Sequence, residues 1–158
     1  MRHSKRQKVP LLKLHTSPTL EIYSTTTETE LELPLIPFGI SAGFPSPALD
    51  FIDLKIDLNK YLIEHPSATF YGRVQGESMR DAGINDGDLL VIDKSIEPTD
   101  GKIAVCYLDG EFTLKRIKID NKGLWLMPEN NKYKPIKIEE HNNLTVWGIV
   151  TYIIKKPL

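Results

Sequence analysis

Residues 103–120 read Ile-Ala-Val-Cys-Tyr-Leu-Asp-Gly-Glu-Phe-Thr-Leu-Lys-Arg-Ile-Lys-Ile-Asp. Two runs rich in apolar and β-branched residues, 103–108 and 111–119, flank the pair Asp109-Gly110. An Asp-Gly pair between strand-like runs is a strong hairpin signal, because the tight turn that suits twisted strands needs positive φ at both central residues. The stretch therefore predicts an antiparallel hairpin. Alternation along its second arm places Leu114 and Lys115 on opposite sheet faces, and Lys118 opposite Lys115.

The same pattern of short strands and turns extends in both directions from this hairpin. Residues 68–74 read as a strand. Leu89-Leu90-Val91-Ile92 is a buried run behind the turn Asn85-Asp86-Gly87-Asp88. Asn121-Lys122-Gly123 turns into a strand over 124–127, and 144–154 is a last strand rich in β-branched residues. Only residues 50–63 read as helical. Leu49, Ile52 and Ile56 recur at helical spacing, Asp57 is placed to cap a short helix over 58–63, and Pro66 stops it. The expected fold is mainly β, with one or two short helices.

Residues 1–42 differ from the rest. Arg2, Lys5, Arg6, Lys8 and Lys13 precede the polar stretch Thr25-Thr26-Thr27-Glu28-Thr29-Glu30. Pro10, Pro18, Pro34 and Pro37 deny the segment a helical domain, because proline lacks the N–H donor and clashes with the preceding turn. We expect an extended arm, with strand-like alternation at Glu30-Leu31-Glu32-Leu33. The small-residue stretch Ser41-Ala42-Gly43-Phe44-Pro45-Ser46-Pro47 reads as an exposed junction. The expected division is an arm over 1–42 and a domain over 43–158.

The whole chain has 158 residues, enough for a real hydrophobic core. Its formal net charge of −1 supplies no general attraction to nucleic acid or to a membrane surface. No run approaches the ~18 apolar residues of a membrane span. The basic N-terminal residues are not followed by an apolar segment, so neither a signal peptide nor an anchor is expected. The single cysteine, Cys106, rules out an intramolecular disulfide and fits a cytoplasmic protein. Within its apolar run it reads as a small buried thiol.

Gly76-Glu77-Ser78-Met79 follows a predicted strand, and Gly76 permits the tight turn that stands Ser78 at a strand end. A nucleophilic serine needs a base. His3 and His15 lie in the arm, His65 precedes Pro66, and His141 sits in a polar loop, so none suggests a triad. Lysine is the other choice. Lys115 could serve if burial lowered its pKa from about 10.4 toward 7–8. Periodicity alone favours an ordinary solvated strand lysine and an ordinary turn serine over catalytic roles. Asp86-Gly87-Asp88 lacks further carboxylates at ligand spacing and reads as a β-turn rather than a metal loop.

Several stretches resemble, in order, the UmuD proteins of the bacterial SOS response. They are 42–48, Ile56-Asp57-Leu58-Asn59, His65-Pro66-Ser67-Ala68-Thr69, Gly76-Glu77-Ser78-Met79, Gly83-Ile84, 86–90 and 109–115. UmuD in turn is similar to the peptidase domain of LexA and phage repressors. The spacing from Ser78 to Lys115 matches that family's dyad. The resemblance implies a LexA/UmuD-like peptidase fold, with Ser78 as nucleophile and Lys115 as general base. It also implies oxyanion donors in the backbone at Glu77 and Ser78, and a self-cleaved bond between Ala42 and Gly43. UmuD is commonly cut between Cys and Gly and LexA between Ala and Gly, so this sequence follows the second pattern.

The implied setting is a homodimer, cleaved under the influence of a RecA–single-stranded-DNA filament. It then serves a UmuC-type Y-family DNA polymerase in translesion synthesis. No cofactor, metal, membrane association or sequence-specific DNA binding is implied. Three other readings compete. A LexA-like repressor requires an upstream helix-turn-helix, for which 1–42 has no helical periodicity. A signal-peptidase-like enzyme calls for an anchor. A dimeric interaction module would leave Ser78 and Lys115 idle.

Overall fold

The computed structural model describes residues 12–24, 32–35 and 54–157. In chain order the strands are β1 (Lys13–Thr16), β2 (Leu20–Ser24), β3 (Glu32–Leu35), β4 (Leu54–Asp57), β5 (Thr69–Val74), β6 (Leu89–Asp93), β7 (Ile103–Leu108), β8 (Glu111–Asp120), β9 (Gly123–Met127), β10 (Ile136–Lys137) and β11 (Leu144–Ile154). A short helix, α1 (Leu58–Leu62), follows β4. The chain divides into two units, one of residues 1–25 and 65–158 and the other of residues 26–64.

The larger unit is a nine-stranded sheet in the order β1-β2-β5-β6-β11-β7-β8-β9-β10, antiparallel at every pairing. The mainly β fold expected from the sequence is therefore observed. β7 and β8 join through Asp109 (φ 48°) and Gly110 (φ 94°), both at positive φ as the two-residue turn requires. Asp109 adopts this unfavourable conformation while its carboxylate accepts from Asn143 N–H and Asn142 Nδ2. These bonds hold its pKa below the usual carboxylate value.

Both faces of the sheet are covered near its centre. On one, Leu20, Ile22, Val74, Leu90, Ile92 and Leu114 form a core that Met79 and Ile84 join from the loop after β5. On the other, Ala104, Cys106, Ile117, Leu126 and Ile149 pack together. A strand buried on both faces loses the simple alternation of apolar and polar residues. That explains the unbroken apolar runs of β6 and β7.

In the smaller unit, β3 and β4 pair antiparallel from Glu32 opposite Asp57 to Leu35 opposite Leu54. This corrects part of the helical reading of 50–63. Residues 54–57 are a strand, and residues 50–53 lie outside the described ones. Ile52 and Ile56 satisfy a period of four, but Ile52, Leu54 and Ile56 equally satisfy a period of two, and the strand partner decides between them. The capping role expected of Asp57 holds. Its Oδ1 accepts from Asn59 N–H at 2.9 Å and starts α1.

The arm reading also takes a more definite form. Residues 13–16 and 20–24 are a hairpin at the edge of the main sheet, with Leu20 and Ile22 fully inside its core. The strand over Glu32–Leu35 overlaps the alternation read at 30–33.

Candidate active site

Lys115 lies in the middle of β8, directly opposite Ala104, while Thr113 lies opposite Cys106. Directly opposed residues share a face, so Lys115 rises from an apolar floor. The residue is only 6% exposed. Its Nζ reaches Thr113 Oγ1 at 2.8 Å, the Leu114 carbonyl at 3.0 Å and Ser78 Oγ at 3.3 Å. Among the described residues no carboxylate pairs with it. Burial therefore acts unopposed by any anion and lowers its pKa below the ordinary lysine value. The Cys106 thiol would counter this only if ionised. Its own burial pushes it up to about 12, so it stays neutral and inert, as the sequence suggested.

Ser78 is presented by the loop after β5. Gly76 takes φ 92°, which bends the chain away from the strand, and its N–H donates to Asp86 Oδ1 at 2.8 Å. Met79, 1% exposed, plugs the core immediately after the serine. The Ser78 carbonyl accepts from Glu129 N–H at 2.9 Å. The Glu77 carbonyl accepts from the buried Asn130 side chain at 2.8 Å. Both carbonyls are thus pinned. Among the described residues nothing accepts from the N–H groups of Glu77 and Ser78, which leaves two backbone donors beside the hydroxyl.

The chemistry open to this pair follows from donor counting. A neutral amine has two N–H groups and one lone pair. Thr113 Oγ1 and the Leu114 carbonyl can take the two N–H groups, which leaves the lone pair to the Ser78 hydroxyl. The arrangement is that of a serine beside a desolvated amine base.

The other residues weighed from the sequence fall elsewhere. Asp86 binds Gly76 N–H, and Asp88 accepts from Asn85 N–H and pairs with Lys155, so this loop is a turn whose carboxylates serve the protein. Among the described residues no three His, Cys, Asp or Glu side chains are grouped to hold a metal. His65 Nδ1 lies 2.7 Å from Asp93 Oδ2, His15 packs its ring on Phe112, and His141 sits in an exposed loop. Ala42, Gly43 and His3 lie outside the described residues. Sequence reasoning missed Thr113 and Asn130. Thr113 could have been found, since it sits two residues before Lys115 on the same strand face. Asn130 is brought to Glu77 only by the fold.

Residues 34–151 match the family described as Peptidase S24-like. The chain belongs to the Peptidase S24-like family. This S24-like chain is 42% identical over 123 residues to Protein SamA of Salmonella typhimurium, covering 78% of this chain and 85% of SamA. It is 41% identical over 128 residues to Protein MucA of Escherichia coli, covering 78% and 87%. The LexA repressor of Acidithiobacillus ferrooxidans is 40% identical over 132 residues, covering 82% of this chain and 63% of the repressor. The resemblance of this S24-like chain to the UmuD group, drawn from its motifs, is upheld. Among its described residues no helix is long and apolar enough to cross a membrane.

Proposed function

We propose that this chain is a self-cleaving serine peptidase in which Lys115 activates Ser78 to cut the Ala42–Gly43 bond. The observation that carries the reading is the buried Lys115 amine, 3.3 Å from Ser78 Oγ and without an anionic partner among the described residues. A structural lysine at this depth would call for a carboxylate, because an unpaired buried charge is costly. A base benefits from the reverse, since burial favours the neutral amine that can take a proton.

The reaction runs in two halves. Neutral Lys115 takes the Ser78 proton as Oγ attacks the Ala42 carbonyl carbon. The resulting oxyanion is held by the Ser78 and Glu77 N–H groups, each such donor contributing about 2.7–4 kcal/mol. The tetrahedral centre collapses, the C–N bond to Gly43 breaks, and Lys115 returns the proton to the leaving amine. Water, deprotonated by Lys115, then cleaves the Ala42 ester and restores the Ser78 hydroxyl. Small side chains at Ala42 and Gly43 leave the carbonyl open to attack. A substrate tethered to its own enzyme needs no deep specificity pocket.

By its UmuD resemblance the chain acts in the SOS response as a homodimer. A RecA–single-stranded-DNA filament promotes the cut, and the 43–158 product assists a UmuC-type Y-family polymerase in translesion synthesis. Identity to SamA and MucA over most of the chain supports this placement. Against the repressor alternative, the described residues before the proposed cut form strands at 13–16, 20–24 and 32–35 and include no helix-turn-helix.

The test is incubation of purified protein at neutral and alkaline pH, read by intact mass under denaturing conditions. A fragment of residues 43–158 forms in the wild type and not in Ser78→Ala. No fragment at any pH, even with RecA, ATP and single-stranded DNA added, returns the chain to the reading of an interaction module with an idle dyad.

A further inference from the structure

The β1–β2 hairpin lies N-terminal to the proposed cut, yet it is built into the sheet that carries the dyad. β2 pairs with β5 without interruption from Leu20 opposite Val74 to Ser24 opposite Phe70. Leu20 and Ile22 are 0% and 1% exposed and share one core with Met79, Leu90, Ile92 and Leu114. β5 is shaped to receive them. A Cβ at Gly72 would lie 3.1 Å from Leu20 Cδ1 and 2.7 Å from Ile92 Cδ1, so the glycine leaves the space that both fill.

The tip of the hairpin is tied to both elements that carry the dyad. The Thr19 carbonyl accepts from Gln75 N–H at 2.9 Å, and the Thr19 hydroxyl donates to the Phe112 carbonyl. Gln75 precedes Ser78 by three residues, and Phe112 precedes Lys115 by three. In the smaller unit, the β3–β4 pairing likewise joins a strand before the 42–43 bond to a strand after it. A cut at Ala42–Gly43 therefore breaks one covalent bond and none of the strand pairings among the described residues.

We infer that residues 1–42 stay bound after cleavage, with the β1–β2 hairpin as a permanent piece of the peptidase sheet. The cleaved protein is then a two-chain complex rather than a trimmed domain. The inference takes only the position of the cut from the self-cleavage reading. Removing the hairpin strips the cover from Leu90, Ile92 and Met79 and leaves β5 an unpaired edge, a combination that favours rebinding of the segment or aggregation.

The experiment separates retention from self-cleavage. A recognition site for an added sequence-specific protease is inserted within residues 36–53 of full-length Ser78→Ala protein. The protein is nicked and analysed by size-exclusion chromatography and native mass spectrometry. Both pieces should travel together and separate only in denaturant. Elution of the N-terminal piece on its own from the folded remainder overturns the inference. In the same nicked protein, Leu20→Ala or Ile22→Ala should weaken retention by about 30-fold or more. Retention unchanged in both variants equally overturns the assignment to the hairpin. An intact Ala42–Gly43 bond in the Ser78 protein defeats the cleavage reading alone and leaves this result standing.

Discussion

The sheet contains two hairpins built on opposite logics. β7–β8 is specified locally. Asp109 and Gly110 dictate the turn, the strands pair in register from Ile103 opposite Arg116 to Leu108 opposite Glu111, and the result holds Lys115 over its apolar floor. β1–β2 is specified by where it docks. Its turn runs through Ser17, Pro18 and Thr19, β1 is fully exposed, and its register shifts between Lys13 and His15. Its residence in the sheet comes from Leu20 and Ile22 entering a core made by other strands. One hairpin carries the proposed base and is legible at short range. The other carries none and needs the rest of the molecule to exist.

The largest effect should come from the chemical end of the comparison. Ser78→Ala or Lys115→Ala should reduce self-cleavage by at least about 10³-fold, measured by intact mass over time, because each removes half of a unit that works only together. Loss of cleavage in one variant and persistence in the other would break the dyad reading.

The pH profile sharpens the same point. Burial lowers the Lys115 pKa, and the base form is the neutral one. The rate should therefore climb about tenfold per pH unit while Lys115 is mostly protonated, then level off below the ~10.4 of a solvated lysine. A climb that continues past that value would place the titration on an ordinary exposed lysine or on hydroxide.

At the docking end, Leu20→Ala and Ile22→Ala should each cost about 2–5 kcal/mol in denaturant unfolding, since each leaves a cavity in a closed core. Costs near zero would show that the hairpin lies on the sheet rather than in it.

The two turns make the smaller contrast. Gly110→Ala forces a Cβ onto a residue at φ 94° and should cost about 1–2 kcal/mol. Ser17→Ala should cost about 0.5–1 kcal/mol, because it removes only a part-buried hydroxyl that accepts from Leu20 N–H and donates to the Leu20 carbonyl, both at 3.1 Å. Equal costs would erase the distinction between a turn that commands its hairpin and a turn that follows it.

Much of the main sheet was legible because its signals are short-range. β7, β11 and the Asp109-Gly110 turn fall where the residues placed them, and β5, β6, β8 and β9 differ by a residue at one end. β10, a two-residue strand, offers too little pattern to read. β4 was misread because its apolar spacing suits two periods, and only pairing with β3 chooses one. The dyad stood between these cases. Alternation puts Lys115 on the face opposite Leu114, but it left open whether that face was solvated. The motifs shared with UmuD supplied the assignment.

The sequence by itself determined the strand-rich character of residues 68–154, the conformation of the turns where glycine accepts positive φ, and the candidate pair Ser78 and Lys115. The strands and turns follow from backbone sterics and side-chain alternation, which act over a few residues; the pair follows from the motifs shared with UmuD. Only the tertiary structure decided that both sheet faces are covered, which desolvates Lys115 and places it 3.3 Å from Ser78. It alone decided that Asn130 holds the Glu77 carbonyl, and that Leu20 and Ile22, written into a polar, proline-punctuated arm, belong to the core. Burial and proximity are properties of chain segments far apart in sequence, and no local pattern encodes which distant strand will supply the cover.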